Sequence, residues 1–208
     1  MDRSSRTTLV VSLLVVALLV VAAFAFVDFH AATTRTAVQS STATSSVNGA
    51  TLPSPGPVSL FVASDDTTSR RLGAALTEAL ESRGYEVTAV DSLRADYDAS
   101  VLVVGVPERS LRYDPVTPSA TLSVRFLFVD SGNLSNVGER AFEAERFRED
   151  FLADDLGVVR LDGETRFVRE GTLTVQVRQT GVVSAPAFRR TVAETAGEAV
   201  VANGFDAA

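Results

Sequence analysis

A chain of 208 residues with 19 basic and 26 acidic side chains carries a formal net charge of −7. It has no cysteine, which excludes a disulfide framework, a thiolate nucleophile and cysteine-ligated zinc or iron–sulfur sites. It has no lysine either, so a P-loop lysine, a pyridoxal Schiff base and a Ser-Lys dyad cannot be built from it.

Residues 1–8, with Arg3 and Arg6, precede an apolar run over residues 9–27, LVVSLLVVALLVVAAFAFV, whose one polar residue is Ser12. As a helix this run covers about 28 Å, close to the roughly 30 Å hydrocarbon core of a bilayer, and it predicts a transmembrane signal anchor. Ala23-Phe24-Ala25 also fits a small-x-small cleavage pattern, which leaves a cleaved signal peptide as the alternative. Two arginines before the run against Arg35 after it place the N-terminus in the cytoplasm and the rest of the chain outside the cell membrane. Residues 28–57 are rich in Ser, Thr and Pro and poor in large apolar groups, a composition that reads as a flexible tether. A domain starting at residue 58 is then expected to fold and stay in solution without them.

Residues 58–205 read as one extracytoplasmic domain, followed by a tail at 206–208. Val58 to Ala63 is a short apolar run ended by Ser64-Asp65-Asp66, a buried strand. Leu72, Ala75, Leu76, Ala79 and Leu80 recur at helical spacing opposite Arg70, Arg71, Glu78 and Glu81, with Gly84 as the stop. Tyr85, Val87 and Ala89 alternate with polar neighbours and complete a β-α-β unit with parallel strands. Residues 99–106 contain VLVVGV, apolar on both faces, the candidate for the sheet's centre. Thr121 to Val129 and the stretch around Leu173, Val175 and Val177 alternate as antiparallel strands with one wet face. Between them, Ala144, Phe147, Phe151 and Leu152 suit a helix, although RAFEAERF also alternates as a strand, so residues 139–152 stay open with helix preferred. A last helix starts near Ser184 and Pro186, carries Phe188, Val192, Ala196, Ala199 and Val200 on one stripe, and stops at Asn203-Gly204. The fold class expected is α+β: a two-layer sandwich of a mixed β-sheet with helices on one face, preceded by one transmembrane helix.

The absence of lysine and isoleucine together with the acidic excess resembles the proteins of extreme halophiles, and so implies a haloarchaeal-type, membrane-anchored envelope protein. A nucleic-acid partner is not expected, because a chain without a net basic face gains little from counterion release. The order strand-helix-strand, longer strands and a closing helix resembles small envelope domains such as the lipoprotein that assists lipopolysaccharide transport. That likeness covers residues 58–200, lacks the lipobox cysteine, and implies docking onto other envelope proteins rather than catalysis.

Few residues suggest chemistry. His30 is the sole histidine and lies before the domain, which removes Ser-His-Asp catalysis within one chain; it reads as an interfacial residue beside the headgroups. Asp130-Ser131-Gly132 resembles an aspartic-protease turn but has no second copy, and it reads as a turn. Asp65-Asp66 sits between the first strand and first helix, where capping competes with divalent metal binding and is favoured. Asp154, Asp155, Asp162 and Glu164 lack the alternate spacing of an EF-hand loop and read as solvated surface. Asn133-Leu134-Ser135 is a glycosylation sequon in a predicted turn. No catalytic residue, cofactor or bound metal is expected. The function expected is a membrane-tethered extracytoplasmic binding or assembly module with another envelope protein as partner. The alternatives are a structural subunit of a membrane complex and a carboxylate-dependent extracellular enzyme.

Overall fold

The computed structural model of the chain describes residues 13–22, 30–47, 51–52, 54–92, 99–130, 144–153 and 167–205. In chain order the elements are α1 (13–22), β1 (His30–Ser46), β2 (Pro57–Val62), α2 (Thr67–Glu81), β3 (Glu86–Val90) and β4 (Ser100–Arg112). They continue with β5 (Ser119–Val129), α3 (Ala144–Ala153), β6 (Phe167–Val183) and α4 (Ala185–Phe205). The strands form one mixed sheet in the order β1-β6-β5-β4-β2-β3, so the chain is an α+β protein. β2 pairs in parallel with β3 and β4, as the β-α-β reading requires, and all other pairs are antiparallel. The VLVVGV strand sits inside the sheet with Val101 to Val104 fully buried.

β4 is longer than its apolar run. Pro107 has no N–H to give a ladder, and the register with β5 shifts between Gly105 and Glu108 to pass it. β2 ends opposite Val104, so beyond the bulge β4 pairs only with β5, and Glu108 to Arg112 reach past α2 toward the far end of the sheet. β1 and β6, at 17 residues each, run the full length.

Two sequence readings are corrected here. His30–Ser46 is no tether: it forms β1, paired antiparallel with β6 from His30↔Val183 to Ser46↔Phe167. Composition reports only apolar side chains, whereas this strand is held by main-chain pairing, for which β-branched threonines are well suited. The helices also lie on both faces. α2 and α4 cover one face, over a core that includes Leu60, Leu76, Leu102, Phe126, Leu173 and Val200. α3 covers half of the other, its Phe147 and Phe151 packing with Phe61, Val101, Val103, Leu127, Val129 and Val168. Leu127 and Val129 therefore face α3 rather than water, and only the part of this face around Thr121, Thr172 and Gln176 is wet. The helical alternative holds for Ala144–Ala153.

α1 is apolar at every described position and lies open, with Leu13, Leu18 and Val21 each more than two-thirds exposed. Among the described residues no helix is long and apolar enough to cross a membrane, and residues 9–12 and 23–27 of the expected span lie outside them. Residues 1–8 and 206–208 lie outside them too.

Candidate functional site

β5 runs antiparallel to both β4 and β6, so β6 has the same sense as β2, and α2 and α4, which follow β2 and β6, start at the same end of the sheet. The helices touch where Gly197 meets Ala75. A Cβ on Gly197 would lie 3.2 Å from the Ala75 carbonyl carbon, so the approach depends on glycine. N-terminal to this contact, a cleft of about 320 Å³ opens between the two helices and the outer half of β4. Leu72, Leu111, Leu122 and Val192 supply its apolar lining, and Arg71, Arg109 and Arg189 its charge. No carboxylate lines it among the described residues, a notable local balance in a chain of net charge −7.

The acid nearest the cleft is already committed. Asp66 is the N-cap of α2: its Oδ1 accepts from Thr68 N (2.7 Å) and Ser69 N (3.2 Å), its Oδ2 from the Ser64 and Ser69 hydroxyls (2.8 Å each), and Arg109 Nη1 also donates to Oδ1. Burial alone would raise this carboxyl, but the hydrogen bonds from Ser64, Ser69 and Thr68 outweigh it and hold Asp66 well below the usual carboxylate range. The amides of the first turn of α2 are thus spent on the cap, and the cationic character of the cleft comes from the arginines. Arg71 and Arg189 have no ion-pair partner among the described residues.

Replacing Asp66 with Ala is expected to cost about 0.5–2 kcal/mol, the range for losing an N-cap. Since the folded-state pKa is depressed, the ionised cap contributes fully above the unfolded pKa near 3.9 and loses its contribution as pH falls toward the folded value. Melting of the wild type and Asp66→Ala at pH 7 and pH 3 checks both points. The gap should narrow at pH 3, and an equal gap would mean that the charge is not what stabilises the cap.

The other sequence candidates are dispersed. Asp65 is open to solvent, 3.9 Å from Arg148. His30 begins β1, with its Nε2 3.2 Å from Gln179 Nε2. Asp130 closes the β5–β6 pair: its N donates to Phe167 O, and its Oδ1 accepts from Phe167 N at 2.9 Å. Ser131, Gly132, the sequon at Asn133, and the acidic group Asp154, Asp155, Asp162 and Glu164 lie outside the described residues. Sequence reading placed Arg71 on a solvent face and did not single out Arg109 or Arg189. The three are far apart in the chain and meet only through the parallel start of α2 and α4.

No family model and no curated protein matches the chain. Solved structures with a similar arrangement include the PelC dodecamer of Paraburkholderia phytofirmans, 14% identical, with 80% of this chain and 97% of that one covered and a TM-score of 0.41. A point variant of that dodecamer, also 14% identical, covers 80% of this chain and 96% of its own at a TM-score of 0.42. The hypothetical protein CT253 of Chlamydia trachomatis is 10% identical over 49% of this chain and 94% of its own, at a TM-score of 0.24. These likenesses are too remote to transfer a function, a partner or an oligomeric state.

Proposed function

We propose that the chain is a membrane-tethered extracytoplasmic binding module whose α2–α4 cleft takes an anionic ligand with an apolar part. The observation that carries this reading is the cleft lining itself: three arginines around leucine and valine side chains, with Arg109 paired to Asp66 and Arg71 and Arg189 without an ion-pair partner among the described residues. Arginine's planar guanidinium suits oxyanions such as carboxylate and phosphate, and the apolar lining adds contact area. Residues 9–27 are the single-pass anchor, with the N-terminus cytoplasmic and the domain outside the cell membrane. The open, wholly apolar α1 supports this, because a helix apolar on all sides is stable only within a core or a bilayer.

A second reading, assembly with another envelope protein, is favoured by the open edge of β1. Its 17 residues carry no proline and a single charge, Arg35, which are the devices that normally blunt an edge strand. A carboxylate-dependent enzyme has less support, since convergent carboxylates are missing from the cleft among the described residues.

Two measurements test this proposal. Protease added to intact cells should remove the domain, and protection would reverse the orientation. The full chain in neutral-lipid nanodiscs should bind phenyl phosphate by calorimetry, and Arg71→Gln with Arg189→Gln should weaken binding at least about tenfold, as expected when charge-assisted hydrogen bonds are removed. Arg83→Gln, at the opposite end of α2, should leave it unchanged. Equal binding by all three proteins would remove the cleft from the function.

A further inference from the structure

The apolar run ends at Val27 and β1 begins at His30, three residues that reach at most about 11 Å. His30 stands opposite Val183, and on the other side of β6 the β4–β5 connection runs alongside: Gly181 N donates to Val116 O and Val183 N to Pro115 O. The end of the sheet nearest the anchor is therefore the end that exposes Val116 (52%), Val182 (43%) and Tyr113 (36%).

One step back along the sheet, the strand register sets Arg35 directly across from Arg178, then Ser119, then Arg112. Cross-strand partners point to the same face, so two arginines with side chains a few ångströms apart stand side by side, with a third two strands away. Like charges in that arrangement repel unless an anion lies over them. None of the three arginines has an ion pair among the described residues. Among the described residues the acid at this end is Asp114, whose carboxylate accepts from Val116 N and Thr117 N and interacts electrostatically with Arg112, which leaves Arg35 and Arg178 as the uncompensated pair. Four residues of strand, about 13 Å, separate this row from Val182, a spacing that long arginine side chains shorten by reaching toward the tip.

We infer that this end of the sheet rests on the bilayer, with Val116, Val182 and Tyr113 at the acyl boundary and Arg35, Arg112 and Arg178 over the phosphates of anionic lipid. The inference rests on the anchor reading above and goes beyond it: an anchored domain on slack chain would leave this tip in water. Apolar tip, cationic row behind it and the point of chain entry coincide at one end of a chain that is acidic as a whole.

The chain has no tryptophan, so one introduced indole reports alone. The full-length variants Val116→Trp, Val182→Trp and, at the opposite end, Glu86→Trp are reconstituted in vesicles of brominated phosphatidylcholine with and without an equal part of phosphatidylglycerol. Indoles at 116 and 182 should emit to the blue of that at 86, lose most of their emission to bromine, and resist aqueous acrylamide. This bromine quenching should be stronger with phosphatidylglycerol, and Arg35→Gln, Arg112→Gln and Arg178→Gln together should abolish that difference. Recovery of the chain in the supernatant after vesicle sedimentation would overturn the anchor and the inference with it. An anchored chain whose tip indoles are as open to acrylamide as that at 86 would overturn the inference alone. So would indoles shielded from both quenchers, because protein rather than lipid would then cover the tip. Equal quenching in both lipids would overturn the anionic-lipid assignment.

Discussion

A chain beginning at Pro57 is expected to aggregate, although nearly all of the apolar core lies downstream of that point. Removing β1 bares the edge of β6 from Phe167 to Val183, a row of main-chain donors and acceptors as long as any in the sheet. Magnitudes decide which effect dominates. A main-chain hydrogen bond contributes about 1 kcal/mol net, while fixing a residue's backbone costs about 1–2 kcal/mol, so pairing β1 adds little to the folding free energy by itself. Exchanging the mostly Ser, Thr and Ala edge of β1 for a β6 edge that carries the core side chains Leu173, Val175 and Val177 is the larger consequence, because an apolar open edge templates pairing with other chains. The strand also supplies partners to Gln179, a fully buried polar side chain whose Nε2 donates to Thr34 Oγ1 at 3.0 Å. Sedimentation velocity should therefore find oligomers that grow with concentration while far-UV circular dichroism still reports folded structure. A monodisperse monomer with an unchanged melting point would restore the tether reading of residues 28–57.

Phe126→Ala should be the most damaging single substitution in the core. The ring is fully buried, pairs across the sheet with Gly171 and lies beneath Gly204 of α4. Both neighbours lack a side chain that could relax into the space, so the cavity persists, which places the cost near the upper end of the 3–5 kcal/mol range, about 5 kcal/mol. Domains of this size are stable by only about 5–15 kcal/mol, so the urea midpoint should fall by a third or more with an unchanged slope. The converse change tests the same slot. A Cβ on Gly171 would lie 2.7 Å from the Phe126 ring and 2.9 Å from Ser41 O, so Gly171→Ala is also destabilising. Combining it with Phe126→Leu should cost less than the sum of the two. The rescue stays partial because the clash with the β1 backbone remains. Strict additivity would show that the ring and the glycine do not share the slot.

The legible parts of this fold were those that side-chain periodicity reports. The α2 stripe, the β-α-β pairing, the buried VLVVGV strand and the extent of α4 all follow from which positions are apolar. β1 was hidden because its side chains are small or polar with no apolar alternation and its stabilisation comes from the main chain of a strand more than a hundred residues away. α3 could be read as a helix, but its face of the sheet could not. The polar alternation of β5 at Thr121, Ser123 and Arg125 implied a wet surface, and it gives way to Leu127 and Val129 where Phe147 and Phe151 pack. Arg125 marks the change: buried, it donates to Phe151 O at 2.9 Å. At the site, the cap was legible because Asp66 lies three residues from Ser69 in sequence. The cleft was not, because Arg71, Arg109 and Arg189 become neighbours only through topology.

The length of β1 has a mechanical consequence. If residues 9–27 anchor the chain as proposed, tension at His30 along the strand would meet ladder bonds to β6 that stand perpendicular to it. Tension then loads the bonds together in shear instead of peeling them open one at a time from an end. A strand of weak side chains would then carry the load between the proposed anchor and the rest of the domain, shared over its 17 paired residues.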